Sequence, residues 1–171
     1  VRTLVLSVAI LFGVVNSLEA QTTRSSSADG WIEVDGSKTP ELIPDVEAWK
    51  MMFLNLSDSP RGWDRGSRLG YMAKSGLTEK ELDVVIDAAN AHRLITNDVQ
   101  RRYQKAKDSA SRPYTKAAWA EITAPFDELN PDVEKQRKFL EAELGTEAYQ
   151  KLTNFVNTKV KPECVSGVKV K

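Results

Sequence analysis

Apolar residues recur along most of this chain at spacings of three and four, the period of an amphipathic helix. Behind Asp45, read as an N-cap, Val46, Trp49, Met52, Phe53 and Leu56 form one stripe that ends near Ser57-Asp58-Ser59-Pro60. Thr78-Glu79-Lys80-Glu81 spells a capping box and opens the longest predicted helix. Along it Leu82, Val85, Ala89, His92, Thr96, Val99, Tyr103 and Ala106 keep an unbroken heptad seam. Acids gather at its start (Glu79, Glu81, Asp83, Asp87) and bases at its end (Arg101, Arg102, Lys105, Lys107), as the helix dipole favours. Thr115 caps a helix running to about Leu129, with Trp119, Ile122, Phe126 and Leu129 inward and a kink at Pro125. Asn130-Pro131 reads as the N-cap and first residue of another helix, striped by Val133, the Arg137 stem, Leu140 and Leu144 and stopped by Gly145. Thr146 caps a last one, carrying Tyr149, Leu152, Phe155, Val156 and Val160 and stopped by Pro162.

The two ends follow other rules. Arg2, the apolar run Leu4 to Val15 and the polar stretch Asn16 to Ala20 have the three-part organisation of a secretory signal peptide, cleaved near Ala20/Gln21. The run is shorter than the about 20 apolar residues a spanning helix needs, so no membrane span is expected after cleavage; an uncleaved N-terminal anchor is the alternative. Gln21 to Gly30 is a Ser/Thr-rich flexible leader. Trp31 to Pro44 reads as an extended arm, with a turn at Asp35-Gly36, prolines at 40 and 44, and Leu42 and Ile43 pinning it to the body. The expected organisation is signal peptide 1–20, leader 21–30, arm 31–44, helical bundle 45–161 and tail 162–171, the tail being too short to fold alone. The fold class is all-α: a single bundle of about five to six helices behind an extended N-terminal arm.

Composition narrows the function. The 171 residues hold 24 Lys+Arg and 24 Asp+Glu, so the net charge is zero, which argues against a nucleic-acid or polybasic membrane-surface binder. One cysteine excludes an intrachain disulfide and Cys-rich metal sites, and one histidine excludes multi-histidine centres. An exported domain with a single thiol has to be held by packing. No cofactor is expected.

The most site-like stretch is Arg61 to Tyr71, in which Arg61, Trp63, Arg65, Arg68 and Tyr71 sit on a Gly-loosened loop, becoming helical at about Ser67. Forked guanidinium groups beside aromatic rings suit a carboxylate or phosphate; the competing reading is a solvated connection with Trp63 folded onto the core. His92 on the seam reads as a packing residue, with no carboxylate three or four positions away. Cys164 reads as incidental, in a mobile tail. Asp29, Glu33, Asp35, Glu41 and Asp45 lack calcium-loop spacing and read as a solvated acidic face. Glu121, Asp127, Glu128, Asp132 and Glu134 read as caps and ion-pair partners rather than an acid–base pair.

The stretch Asp35-Gly36-Ser37-Lys38-Thr39-Pro40-Glu41-Leu42-Ile43-Pro44-Asp45 resembles one near the mature start of small exported bacterial helical proteins of unassigned function. Leu144-Gly145, Phe155-Val156-Asn157 and Val160-Lys161-Pro162 resemble the end of the same proteins. The resemblance implies export and a helical fold, and carries no activity. Leu77-Thr78-Glu79-Lys80-Glu81 is similar to the Leu-Thr-x-x-Gln motif of periplasmic stress chaperones of the CpxP/Spy type, with Glu81 in place of Gln.

Three functions follow as expectations. The first is a non-enzymatic accessory or protein-interaction module of the bacterial cell envelope, periplasmic or secreted, binding another envelope protein. The second is a chaperone-like homodimer paired through the heptad seam. The third is an anionic-ligand binder or hydrolase using the Arg61–Arg68 loop.

Overall fold

The computed structural model describes residues 31–58 and 64–169, and the signal-peptide, leader and cleavage-site expectations lie outside them. The chain is mostly helical: α1 (Asp45–Leu56), α2 (Arg65–Met72), α3 (Glu79–Ser109), α4 (Lys116–Thr123) and α5 (Leu129–Phe155). Beside these stands a two-stranded antiparallel ribbon, β1 (Trp31–Asp35) against β2 (Val165–Lys169), with Trp31 opposite Lys169 and Asp35 opposite Val165.

The ribbon joins the two ends, a pairing the sequence does not predict. The first part of the arm is extended, as β1, and is closed by the turn expected after Asp35; beyond it the chain tightens into a 3-10 turn at Pro40–Leu42 instead of staying extended to Pro44. The tail is the partner of β1. Each strand supplies the backbone groups that the other needs, so neither has to be stable alone. Ile43 is buried and pins the segment, whereas Leu42 is exposed.

The helix starts show which side-chain signals operate. Thr78 accepts from Glu81 N while Glu81 Oε2 accepts from Thr78 N at 2.7 Å, completing the capping box, and Thr115 Oγ1 accepts from Ala118 N. Asp64 caps α2, accepting from Ser67 N at 2.7 Å, so that helix begins at Arg65 rather than Ser67. Two expected caps are absent. Asp45 is the first residue of α1 behind Pro44 and instead meets the Lys161 ammonium at 2.5 Å. Asn130 lies within α5, because the 3-10 turn Ala124–Glu128 runs straight into it. Pro131 is tolerated there because the first-turn N–H groups have no helical acceptor in any case. The kink expected at Pro125 is that same 3-10 turn.

Gly145, with φ 71° and ψ 171°, divides α5 in a backbone region essentially closed to other residues. After Phe155 the helix widens into a π turn at Val156–Val160 and tightens at Lys161–Glu163 before entering β2.

The core gathers Trp49, Met52, Phe53 and Leu56 of α1, Leu82, Val85 and Ala89 of α3, and Val133, Leu140, Leu152 and Phe155 of α5. Trp49 stacks on Tyr149 at 6.1 Å, and the Arg137 guanidinium lies over the Trp49 ring, 5.2 Å from its centroid. The α3 seam faces inward: Leu82, Val85, Ala89, His92 and Val99 are all buried within the one chain. A dimer built on that seam would have to open the bundle.

Candidate functional site

Of the Arg/aromatic stretch, the described residues Arg65, Arg68 and Tyr71 turn to separate partners. Arg61 and Trp63 lie outside the described residues. Arg65 pairs with Asp83 of α3 at 2.9 Å. Arg68, whose side chain is largely covered, donates to the Leu56 carbonyl at 3.1 Å and to the Asp58 carboxylate. That guanidinium, with the Asn90 amide behind it, holds Asp58 below the usual carboxylate range. Both arginines therefore tie α2 to its neighbours. Tyr71 turns inward, edge-on to Phe155 at 5.3 Å, and burial, then the Glu163 charge, pushes its hydroxyl well above the ordinary phenol range.

A different cluster comes together between α3 and α5. His92 Nδ1 lies 2.7 Å from Asp132 Oδ2, with the histidine 1% and the aspartate 9% exposed. Gln136, one turn along α5, donates from Nε2 to the other Asp132 oxygen at 3.2 Å. The Phe53 ring sits 5.4 Å from the imidazole, and Thr96 Oγ1 donates to the His92 carbonyl. Sequence reading had singled out both His92 and Asp132, separately. The signal that joins them is a fold-level one: antiparallel α3 and α5 bring together residues 40 apart, and only neighbours within one helix can be paired from spacing alone.

An imidazole oriented by a buried carboxylate is two parts of a nucleophilic triad. The third part is missing from its contacts: among the described residues no hydroxyl or thiol bonds the ring. Cys164 lies elsewhere, 4% exposed, with its thiol against Met51 Sδ and the Val160 carbonyl at 3.3 Å each. Burial, then the Glu47 and Glu163 charges, pushes that thiol up to about 11. The expectation of a mobile tail is thereby corrected, since β2 and the π turn enclose the residue. The His92–Asp132–Gln136 set is a polar clasp that fixes α5 against α3.

Gln136 also floors a shallow groove of about 230 Å³ on the outer side of the clasp. Ala88, Ala91 and Phe139 line it, with Asp87 on the α3 rim and Lys135 on the α5 rim. Phe139 is 42% exposed, and Leu94, three residues beyond Ala91, is 70% exposed. The volume is below the roughly 300–1,000 Å³ of ordinary small-molecule sites.

Asp29 lies outside the described residues, and three of the other acidic candidates have clear partners. Asp35 accepts from Ser37 N and Oγ, Glu128 forms a forked pair with Arg102 at 2.7 and 2.6 Å, and Glu134 pairs with Arg137. Among the described residues there is no group of three or more His, Cys, Asp or Glu side chains placed to hold a metal ion, and no helix is long and apolar enough to cross a membrane. The chain matches no protein-family model, no curated protein and no solved structure.

Proposed function

We propose that this chain is an exported helical accessory protein of the bacterial cell envelope, a non-enzymatic module that binds another envelope protein. The observation that carries the reading is where large apolar side chains stand exposed. Leu42 (50%), in the 3-10 turn after β1, and Val165 (66%), the first residue of β2, stand apart from Leu94, Ile95 and Phe139 on the α3–α5 side. Single exposed apolar residues are ordinary, whereas grouped ones mark contact surfaces. The ribbon adds two strand edges suited to meeting extended backbone from a partner. Export rests on the three-part pattern of residues 1–20.

The test is a tagged pull-down from gently solubilised envelopes of the native host, read by mass spectrometry. A stoichiometric envelope protein, retained by the wild type and lost with Leu42→Ser/Val165→Ser, is the expected result. Recovery of the protein alone would overturn the reading.

A further inference from the structure

We propose that the outer face of α3 is a self-association surface, on which a second copy packs its own α3 antiparallel, with the two-fold axis at Ala91. This goes beyond the envelope-partner reading and uses a different face.

Three observations converge on Ala91. It is small and half-buried at the middle of the exposed stripe, and Ala88 beside it is buried, so another helix can approach closely there. Leu94 and Ile95 stand one turn further on, 70% and 36% exposed. Antiparallel crossing at Ala91 lays these two side chains over the partner copy's Asp87–Ala88 segment, where the groove walled by Phe139 opens. The same contact is made twice, as a two-fold interface requires.

Charge selects the antiparallel direction. On the N-terminal side of Ala91 the outer face carries Asp83 and Asp87 with one base, Lys80; on the C-terminal side it carries Arg101 and Lys105 with one acid, Asp98. Antiparallel pairing brings Asp83 of each copy within about half a turn of Arg101 of the other and Lys80 within about a turn of Asp98. Parallel pairing would set like against like. Asp83 and Arg101 are about half or more exposed in their present pairs with Arg65 and Asp98, so each still presents charge outward. The groove itself is too small for a ligand of ordinary size and of the right scale for one aliphatic side chain, which Ile95 of the second copy supplies.

Sedimentation equilibrium on the purified protein, from micromolar to millimolar concentration, tests this. The wild type should dimerise, more weakly in high salt. Leu94→Asp, at a position whose exposure leaves folding intact by circular dichroism, should raise the dissociation constant by at least about tenfold. Asp83→Arg and Arg101→Asp should each weaken self-association, and an equimolar mixture of the two should restore it, because every Asp–Arg contact re-forms in the mixed dimer. A wild type that stays monomeric throughout, or a dimer indifferent to all three substitutions, would overturn the proposal.

Discussion

Gly36 and Lys161 approach so closely that a β-carbon on Gly36 would stand 2.0 Å from the Lys161 carbonyl oxygen. The Gly36 amide donates to the Cys164 carbonyl at 2.8 Å, fixing the mouth of the ribbon against the end of the helical body. The obstructing atoms are backbone, which cannot rotate away. Gly36→Ala should therefore cost about 2–3 kcal/mol in urea unfolding, whereas alanine at Gly70, an open glycine inside α2, should stabilise by up to about 1 kcal/mol.

The buried clasp predicts an asymmetry. Asp132→Ala leaves the His92 ring without its acceptor in the interior and should cost about 3 kcal/mol or more. Replacing both residues by leucine removes the need for the bond as well as the bond, so the double variant should be the more stable of the two. Urea midpoints at unchanged m-value are the measurement. Equal or greater loss in the double variant would mean that the clasp contributes net stability instead of only fixing register.

Thr78→Ala should lower stability by about 1 kcal/mol at neutral pH by deleting the α3 cap. The backbone amide and hydroxyl of Thr78 hold the Glu81 carboxyl below its ordinary value. Its folded value is thus the lower one, and the stabilisation is present above the unfolded value and lost as pH falls through the folded one. The difference between wild type and Thr78→Ala should shrink below about pH 4, as followed by thermal melts across the acid range.

The Cys164 thiol should resist an aromatic disulfide reagent in the native protein at pH 8 and react at the rate of global opening. Its folded value, about 11, lies above the ordinary 9.0 because burial favours the neutral thiol. The unfolded chain accordingly loses the proton first, and stability falls as pH rises from about 9 towards about 11, an effect absent in Cys164→Ala. Fast labelling under native conditions would contradict the enclosure.

What the sequence made legible is local. The α1 stripe from Trp49 to Leu56, the Thr78 and Thr115 caps, and the stop at Gly145 each depend on residues within a turn of one another. Asn130 shows the limit of the same logic: a good cap residue has no helix to cap when a 3-10 turn already delivers the chain in helical geometry. Asp64 was legible in principle, since it stands three residues before Ser67, the residue whose amide it accepts. The ribbon and the clasp were not, because β1–β2 and His92–Asp132 pair residues that only the assembled bundle makes neighbours. For the Arg stretch, sequence supplied the residue types and not their partners, and Asp58 and Asp83 decide where Arg68 and Arg65 point.

The ribbon also sets an order of events. β1 is among the first described parts of the chain to be synthesised and β2 the last, so at about 5–20 residues per second the first strand waits several seconds or more for its mate. Until Val165 emerges, the backbone of Trp31–Asp35 is unpaired and the seat that Gly36 takes beside Lys161 and Cys164 does not exist. The ribbon thus closes only after the helices between its strands have been made, and until then the β1 edge is open to capture by another protein.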